Sequence, residues 1–255
     1  MSELLEVNHV SYAYHSIDGE TETLADISFH IKEGEFAAIV GPSGCGKSTL
    51  LSLICGLLKP EKGEILLDGK SIAGEKERIG YMLQKDYLFE WRSIYSNVML
   101  GLEIQKKKSE KYTKRVDQML KDYGLWDFRD VRPSQLSGGM RQRAALIRTL
   151  ALQPELLLLD EPFSALDYQT RLSVCEDIYR IIKKEQKTAV LVTHDLSEAI
   201  SMADRVIILT KRPATVARIV TIDLGLTDRT PLSSRNAPQF KSYFNLIWKE
   251  LNQYV

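Results

Sequence analysis

Apolar residues along the chain fall into short continuous runs separated by polar turns. Residues 36–40, 156–159 and 188–193 are such runs, and the last is rich in β-branched side chains. Runs of this length without alternation predict strands buried on both faces, as in a parallel sheet covered by helices. Residues 50–54 are also apolar and follow the first run closely, so the segment between them joins a strand to a helix.

Other segments show different periodicities. Residues 1–35 and 63–80 alternate between polar and apolar positions around glycine turns, which predicts antiparallel strands. Residues 90–150 are predicted to be mainly helical. Near the end of the chain, six apolar side chains recur at helical spacing and predict an amphipathic helix that docks on its own domain or, alternatively, meets another subunit. These are Phe240, Tyr243, Phe244, Ile247, Trp248 and Leu251.

Composition adds limits to this picture. The 255 residues are enough for one large domain or two small ones, and a content of 44% hydrophobic and 27% charged residues suits a real core with a soluble surface. Lys+Arg and Asp+Glu both number 34, so no basic excess points to nucleic acid as a partner. The three cysteines lack metal-ligand spacing and are expected to be buried thiols in a reducing cytoplasm. No secretion signal is evident, and no run approaches the roughly 20 apolar residues that span a bilayer, so any membrane role needs a partner.

The segment between the first strand and the first helix fits the phosphate-loop pattern G-x-x-x-x-G-K-[ST]. Its glycines allow the backbone to wrap around an anion, and amides at the helix N-terminus point at phosphate oxygens. The lysine is placed to reach the β- and γ-phosphates of a nucleoside triphosphate, and the serine hydroxyl can ligate Mg²⁺. The predicted nucleotide-binding residues are Gly41, Pro42, Ser43, Gly44, Cys45, Gly46, Lys47, Ser48 and Thr49.

Two acids, Asp160 and Glu161, follow the four leucines of residues 156–159. They are either ordinary acids at a strand end or part of the same site, because ligands bind at the carboxyl ends of parallel strands. The phosphate loop favours the second interpretation. Asp160 is then predicted to help Ser48 position Mg²⁺, and Glu161 is predicted to orient or deprotonate the attacking water.

A third motif, residues 136–143, narrows the kind of nucleotide-binding protein. Two glycines, Gly138 and Gly139, precede a predicted helix, with Ser137 as a plausible cap and a possible second anion site. The segment resembles the LSGGQ signature of ATP-binding subunits of ATP-binding-cassette (ABC) transporters, with Met140 in place of the glutamine. That resemblance covers about residues 4 to 210 and implies that Ser137, Gly138 and Gly139 contact ATP.

The resemblance implies roles for further residues. Tyr14, in preference to Tyr12, matches the aromatic side chain that stacks on adenine, although either tyrosine could be a core residue. Gln84 matches the glutamine that approaches Mg²⁺ and the attacking water. Asp167 matches the residue that couples two subunits at the nucleotide, and His194 matches the histidine that contacts the γ-phosphate.

The resemblance also implies the architecture. The expected fold is α/β, a P-loop NTPase core with a small antiparallel β subdomain and an inserted helical subdomain, in one ABC ATPase domain. The β subdomain is expected at about 1–35 and 63–80, and the nucleotide-binding core at about 36–58 and 155–210. The helical subdomain is expected at about 90–150, followed by a C-terminal strand and helix at 211–255, with residues 219–224 as the strand.

An importer subunit is the favoured function. Two copies would form an ATP-sandwich homodimer on the cytoplasmic face of the membrane and would bind permease subunits. An extracytoplasmic solute-binding protein would be an indirect partner, through the permease. Residues 88–92 and the tail are most similar to the nitrate/sulfonate/taurine branch, with Glu90 in place of that branch's proline. The alternatives are an exporter subunit, a soluble ABC ATPase without a transport role, and a non-catalytic regulatory cassette.

Overall fold

The computed structural model describes residues 2–17 and 19–254, which form two β-sheets surrounded by helices. The strands are β1 (Glu3–Ser16), β2 (Gly19–Lys32), β3 (Phe36–Val40), β4 (Lys62–Leu67), β5 (Lys70–Ser71), β6 (Ile79–Met82), β7 (Leu156–Asp160), β8 (Thr188–Val192), β9 (Arg205–Leu209) and β10 (Val216–Thr221). The helices are α1 (Lys47–Ile54), α2 (Ile94–Val98), α3 (Leu100–Ile104), α4 (Glu110–Asp122), α5 (Gly138–Leu150), α6 (Tyr168–Lys184), α7 (Leu196–Met202), α8 (Pro231–Arg235) and α9 (Phe240–Leu251).

The larger sheet has the strand order β10-β9-β3-β8-β7-β6, and all neighbouring strands are parallel except β10, which runs antiparallel to β9. Its register aligns the strand ends: Ile39 pairs with Val192, Val192 with Asp160, and Leu159 with Met82. The loops after β3, β6, β7 and β8 therefore leave the sheet at one edge.

Side chains of the central strands alternate between two hydrophobic clusters, one on each face of this sheet. Phe36, Ala38 and Val40 belong to the cluster formed with α2–α7 and α9, whereas Ala37 and Ile39 belong to the cluster formed with α1 and the small sheet. All five residues of β3 are buried. The two-sided burial predicted from the unbroken apolar runs is therefore confirmed, and it explains why those runs lack alternation.

The smaller sheet is antiparallel and has the order β2-β1-β4-β5. Backbone hydrogen bonds join β2 to the loop between β9 and β10 of the larger sheet, since the amide of Ala25 donates to Ala214 O at 2.8 Å and the amide of Ala214 donates to Thr23 O at 2.9 Å. β2 also lies next to the phosphate loop, because the side chains of Thr23 and Leu24 contact the backbone at Gly46.

Some element limits differ from those expected. β6 (Ile79–Met82) begins within the range expected for the small sheet, yet it pairs with β7 in the large one. The last strand is expected at residues 219–224, but β10 begins at Val216 and ends at Thr221, because its partner β9 extends only from Arg205 to Leu209. Among the cysteines, Cys55 is partly exposed, contrary to the expectation that all three are buried.

The C-terminal helix docks on the chain's own domain. α9 packs on α7 and β9 through Ile247, which is fully buried, while Trp248 on the same stripe is half-exposed. Among the described residues, no helix is both long and apolar enough to cross a membrane.

Candidate functional site

Four segments predicted to carry chemistry meet at one edge of the large sheet. The loop 41–46 follows β3, Gln84 lies shortly after β6, Glu161 directly follows β7 and His194 lies shortly after β8. The strand register described above places these residues together although they are far apart in the sequence. This is the edge at which open α/β sheets bind ligands.

Gly46 caps the N-terminus of α1 with a φ of 115°, a value that side chains disfavour. A Cβ at this position would lie 2.8 Å from Thr23 Cγ2 and 2.9 Å from Leu24 Cδ2, so β2 leaves room only for glycine. The first amides of α1 lack partners within the helix and can receive an anion. The local backbone thus has the form that phosphate binding requires.

Lys47, the first residue of α1, is largely buried and turns back over the loop. Its Nζ donates hydrogen bonds to the carbonyl oxygens of Gly41 and Pro42, each at 2.9 Å. These two bonds hold the ammonium group at the mouth of the loop. Cys45, in the same loop, is buried, and burial raises the pKa of its thiol, so the thiol stays neutral.

Ser48 and Asp160 come together from positions 112 residues apart. Ser48 Oγ donates to Asp160 Oδ1 at 3.1 Å, and Tyr81 OH donates to Oδ2 at 3.2 Å. Asp160 is mostly buried, and this burial raises its pKa, an effect that the hydrogen bonds from Ser48 and Tyr81 partly offset. A carboxylate held in this way is a good ligand for a cation because a cation offsets the cost of burying the negative charge.

Glu161 and His194 form the second pair. His194 Nδ1 lies 3.1 Å from Glu161 Oε2, and the imidazole is the more exposed of the two side chains. Glu161 has a φ of 44°, in the left-handed region, while its amide still donates to Val192 O at 2.9 Å. The bend turns the Glu161 side chain out of the strand toward His194, and such strained backbone is common at functional sites.

Gln84 joins this group through a serine. Its Nε2 donates to Ser164 Oγ at 3.2 Å, and Ser164 Oγ donates in turn to the backbone oxygen of Glu161 at 3.0 Å. The glutamine is therefore connected to the Glu161 turn by two successive hydrogen bonds.

A cleft of about 580 Å³ opens in front of these residues. Its lining includes Glu161, His194 and most of the loop and first turn 43–49. Tyr14 also lines the cleft, is 45% exposed, and has its hydroxyl 3.1 Å from Thr49 Oγ1. Tyr12 instead packs against the core beneath the small sheet, so the two tyrosines have different surroundings.

The signature residues lie elsewhere on the chain. Ser137 caps α5 by accepting a hydrogen bond from the Met140 amide at 3.3 Å, and a Cβ on Gly139 would lie 2.7 Å from Val174 Cγ2. A Cβ on Gly138 would lie 2.9 Å from Leu166 Cδ2, so the helix start packs closely on the segment before α6. Asp167 caps α6 by accepting from the Thr170 amide at 3.1 Å. Ser137, Gly138, Gly139 and Asp167 are not among the residues that line the cleft.

Four residues of the site were not predicted from the sequence. Thr23 and Arg212 line the cleft, Tyr81 contacts Asp160, and Ser164 connects Gln84 to Glu161. Tyr81 lies three residues before Gln84 and Ser164 lies three residues before Asp167, so proximity in sequence to these predicted residues could have indicated them. No local pattern marks Thr23 or Arg212, because the bridge between Leu24 of β2 and Ala214 in the loop after β9 brings them to the cleft.

The donor set at Ser48 and Asp160 suits a hard divalent cation. Both side chains offer oxygen atoms, which Mg²⁺ prefers, and the Asp160 carboxylate is mostly buried beside the Ser48 hydroxyl. With the loop amides, Lys47, and the pair Glu161–His194 on the same edge, the arrangement can hold a triphosphate and present a base to a water molecule.

Comparison with known proteins agrees with this geometry. The ABC transporter family model matches residues 24–164. The uncharacterized ABC transporter ATP-binding protein YtlC of Bacillus subtilis is 49% identical over 248 residues, which cover 97% of this chain and 95% of YtlC. The taurine import ATP-binding protein TauB of Roseobacter denitrificans is 36% identical, with 96% and 94% covered, and the nitrate import ATP-binding protein NrtD of Synechocystis is 38% identical, with 95% and 93% covered.

A solved structure of an ATP-binding cassette also has a fold similar to that of this chain. The dimeric post-hydrolysis structure of the ATP-binding cassette MJ0796, bound to ADP and Pi, superposes with a TM-score of 0.73 at 32% identity, covering 86% of this chain and 99% of that one. The predicted family and the predicted P-loop ABC ATPase fold are thereby confirmed. The chain belongs to the ABC transporter family, as an ATP-binding subunit with ATPase activity.

Proposed function

We propose that this subunit powers the import of a small solute by a bacterial-type ABC transporter, with a small anion such as nitrate, a sulfonate or taurine, or a related small organic solute, as cargo. The observation that supports ATP hydrolysis by this subunit is the convergence of four side chains at one sheet edge beside the phosphate loop: Ser48, Asp160, Glu161 and His194.

Each residue at this edge has a proposed role. Lys47 exchanges its two loop carbonyls for the phosphates of ATP, and Tyr14 stacks on the adenine. Ser48 and Asp160 hold Mg²⁺, with Gln84 nearby, and the ion when bound neutralises phosphate charge. The domain boundaries expected from the sequence, with β6 assigned to the core, complete the proposed architecture.

Glu161 is the proposed general base for the attacking water. His194 hydrogen-bonds to its carboxylate through Nδ1, which fixes the carboxylate's direction. The contact with Glu161 uses Nδ1, so the other ring nitrogen, Nε2, is left to face a γ-phosphate. Gln84 is hydrogen-bonded through Ser164 to the backbone of Glu161, so a movement of Gln84 would also displace Glu161.

The location of the signature residues supports a two-subunit site. Ser137, Gly138, Gly139 and Asp167 lie outside the cleft formed by the phosphate loop. In a head-to-tail homodimer, the Ser137 hydroxyl and the N-terminus of α5 would contact the nucleotide of the partner copy. ATP then favours the closed pair and its hydrolysis favours the open pair, which is the binding difference that a transport cycle needs.

Import and solute class are proposed from the relatives. TauB and NrtD are import ATP-binding proteins for taurine and nitrate, and they align along nearly the whole chain. The proposed partners are membrane permease subunits and, indirectly, an extracytoplasmic solute-binding protein, with this chain on the cytoplasmic face. Purifying the tagged chain from native membranes should recover a permease. Recovery from the soluble fraction alone would refute the transport role and leave the ATPase assignment standing.

Complementation between two inactive variants tests the shared site. Lys47→Ala removes the loop lysine and Ser137→Arg blocks the signature, so each homodimer should be inactive. In an equal mixture, half of the dimers are mixed and each has one intact composite site, so about a quarter of wild-type turnover should return. No recovery would refute the two-subunit site.

A second mixture is the matched control. Lys47→Ala and Glu161→Gln fall in the same half of each composite site, so mixing them leaves no intact site and no activity should return. Alone, Glu161→Gln should lower turnover by about a hundredfold or more while ATP binding and ATP-dependent dimerisation persist. Near-normal turnover of this variant would exclude Glu161 as the base.

A further inference from the structure

Glu198 is a buried carboxyl group for which the proposed hydrolysis has no role. It lies on α7 and is 3% exposed. Thr193 Oγ1, also buried, donates to Glu198 Oε2 at 2.5 Å and accepts a hydrogen bond from the Asp195 amide at 3.0 Å. The residue between Thr193 and Asp195 is His194, so the Thr193 hydroxyl joins the two ends of the turn that carries the histidine and anchors that turn to the Glu198 carboxyl.

Arg171 of α6 contacts the same carboxyl from the other side. Its Nε lies 3.9 Å from Glu198 Oε1, and its Nη1 lies 3.5 Å from Asp195 Oδ2. Its Nη2 donates to the backbone oxygen of Leu166 at 3.0 Å, directly before Asp167. The guanidinium therefore connects the His194 turn with the Asp167 segment.

A purely structural purpose explains this arrangement poorly. Burying a carboxylate costs free energy, and an amide or apolar side chain would fill the same space without that cost. The Arg171 Nε is buried and has no hydrogen-bond partner among the described residues. Its interaction with Glu198 is therefore an attraction between charges and needs the ionised carboxylate.

We infer that Glu198 and Arg171 are positioning residues: Glu198 fixes the turn that holds His194 against Glu161, and Arg171 ties this turn to the segment of Asp167. This inference rests on the proposed function, because it takes His194 and Glu161 as the residues that act on the nucleotide. A shift of the Asp167 segment, which the dimer contact would produce, reaches His194 through these two side chains.

Turnover of substituted chains tests the link. Glu198→Leu removes the hydrogen bond and the charge, and should lower kcat about thirtyfold with little change in KM for ATP. Glu198→Gln retains an acceptor for Thr193 and loses only the charge, so its loss should be smaller, about fivefold. Arg171→Met should match Glu198→Gln. The matched control is Glu176→Gln on α6, whose carboxylate binds Arg180 and the Leu232 amide, and its kcat should stay at the wild-type level.

A second readout follows the histidine without hydrolysis. Nitrogen NMR of the imidazole rings, with the His194 signal identified by its loss in His194→Asn, should show displaced His194 resonances in Glu198→Leu and unchanged ones in Glu176→Gln. Fluorescent ATP binding should stay within about twofold of wild type in every variant. In the double variant Glu198→Leu, Arg171→Met, kcat should fall no further than in Glu198→Leu alone, because both changes break one link.

These measurements distinguish failure of the positioning role of Glu198 from failure of the proposed function. If His194→Ala and Glu161→Gln lose turnover while Glu198→Leu keeps both kcat and the His194 resonances of the wild type, the positioning role is refuted and the proposed function stands. If His194→Ala and Glu161→Gln retain turnover, the proposed function fails. Should Glu198→Leu fold poorly, Glu198→Gln and Arg171→Met carry the same test, and wild-type kcat in both would refute the inference.

Discussion

Substitution of Glu198 by glutamine should make the folded chain more stable at neutral and alkaline pH. Burial raises the pKa of Glu198 to about 7 from its ordinary value of 4.5, against the lowering effects of the Thr193 hydrogen bond and of Arg171. Glutamine has nearly the same shape and carries no charge at any pH. The variant therefore removes the cost of burying the carboxylate and keeps the packing around it.

The direction of the effect depends on which state holds the proton. Below the ordinary pKa, the Glu198 carboxyl is protonated in both the folded and the unfolded chain and costs nothing. Between about pH 4.5 and 7, the unfolded chain releases the proton while the folded chain keeps it, so the stability of the wild type falls as pH rises. Above about pH 7 both states are ionised and the cost is constant.

The two pKa values give the size of this cost. It amounts to about 1 kcal/mol at about pH 5.5 and about 3 kcal/mol at about pH 8.5. Glu198→Gln should therefore exceed the wild type in free energy of unfolding by about 2 kcal/mol more at the higher pH than at the lower. The charged and titratable groups that face Glu198 or its neighbours are Arg171, Cys175, His194, Asp195 and Arg235.

Urea unfolding followed by circular dichroism, at several pH values without nucleotide, measures this difference. Glu103→Gln is a control of opposite sign. Hydrogen bonds from Arg92 and then Lys108 lower the pKa of Glu103, so its ionised form stabilises the fold above the ordinary pKa and this variant should lose stability at neutral pH. A constant difference between Glu198→Gln and the wild type across the pH range would refute the assignment of a raised pKa to the buried carboxyl.

Three further substitutions test the nucleotide site. Gly46→Ala should lower the free energy of unfolding by about 1–3 kcal/mol, because the φ of Gly46 is 115° and a Cβ would lie under 3 Å from two side-chain carbons of β2. Gly34→Ala is the control, since no atom lies near the added Cβ, and it should lower the free energy of unfolding by less in the same urea titration. Tyr81→Phe removes the hydrogen bond to the buried Asp160 Oδ2 and should cost about 1–3 kcal/mol, and an unchanged unfolding midpoint would contradict that bond. Tyr14→Ala should weaken fluorescent ATP binding about tenfold through lost stacking, whereas equal affinity would exclude adenine contact.

The strands and loops that build the nucleotide site could be predicted from local sequence patterns. Unbroken apolar runs marked β3, β7 and β8, and each run ended at a polar motif: the phosphate loop, Asp160–Glu161 and His194. These signals are local, because a strand buried on both faces needs apolar side chains at every position and a phosphate loop needs glycine at fixed spacing. The family could be identified from these motifs together with residues 136–143.

Pairing between distant segments could not be predicted from local patterns, because it depends on how the strands and helices pack together. The register of β7 and β8 brings Glu161 and His194 within hydrogen-bond distance, and the same sheet aligns Asp160 with Ser48. The sequence marked β6 only as part of an alternating segment, so its place beside β7 could not be foreseen.

The surroundings of Glu198 show most clearly what could not be predicted from the sequence. In the sequence it is one acid among many on a short helix, with nothing to distinguish it from an exposed residue. Packing of α6 and α7 buries it, places Arg171 beside it and leaves Thr193 as its hydrogen-bond donor. Burial and partners belong to the contacts among several elements, and these contacts determine the pKa of a carboxyl group and therefore its possible role.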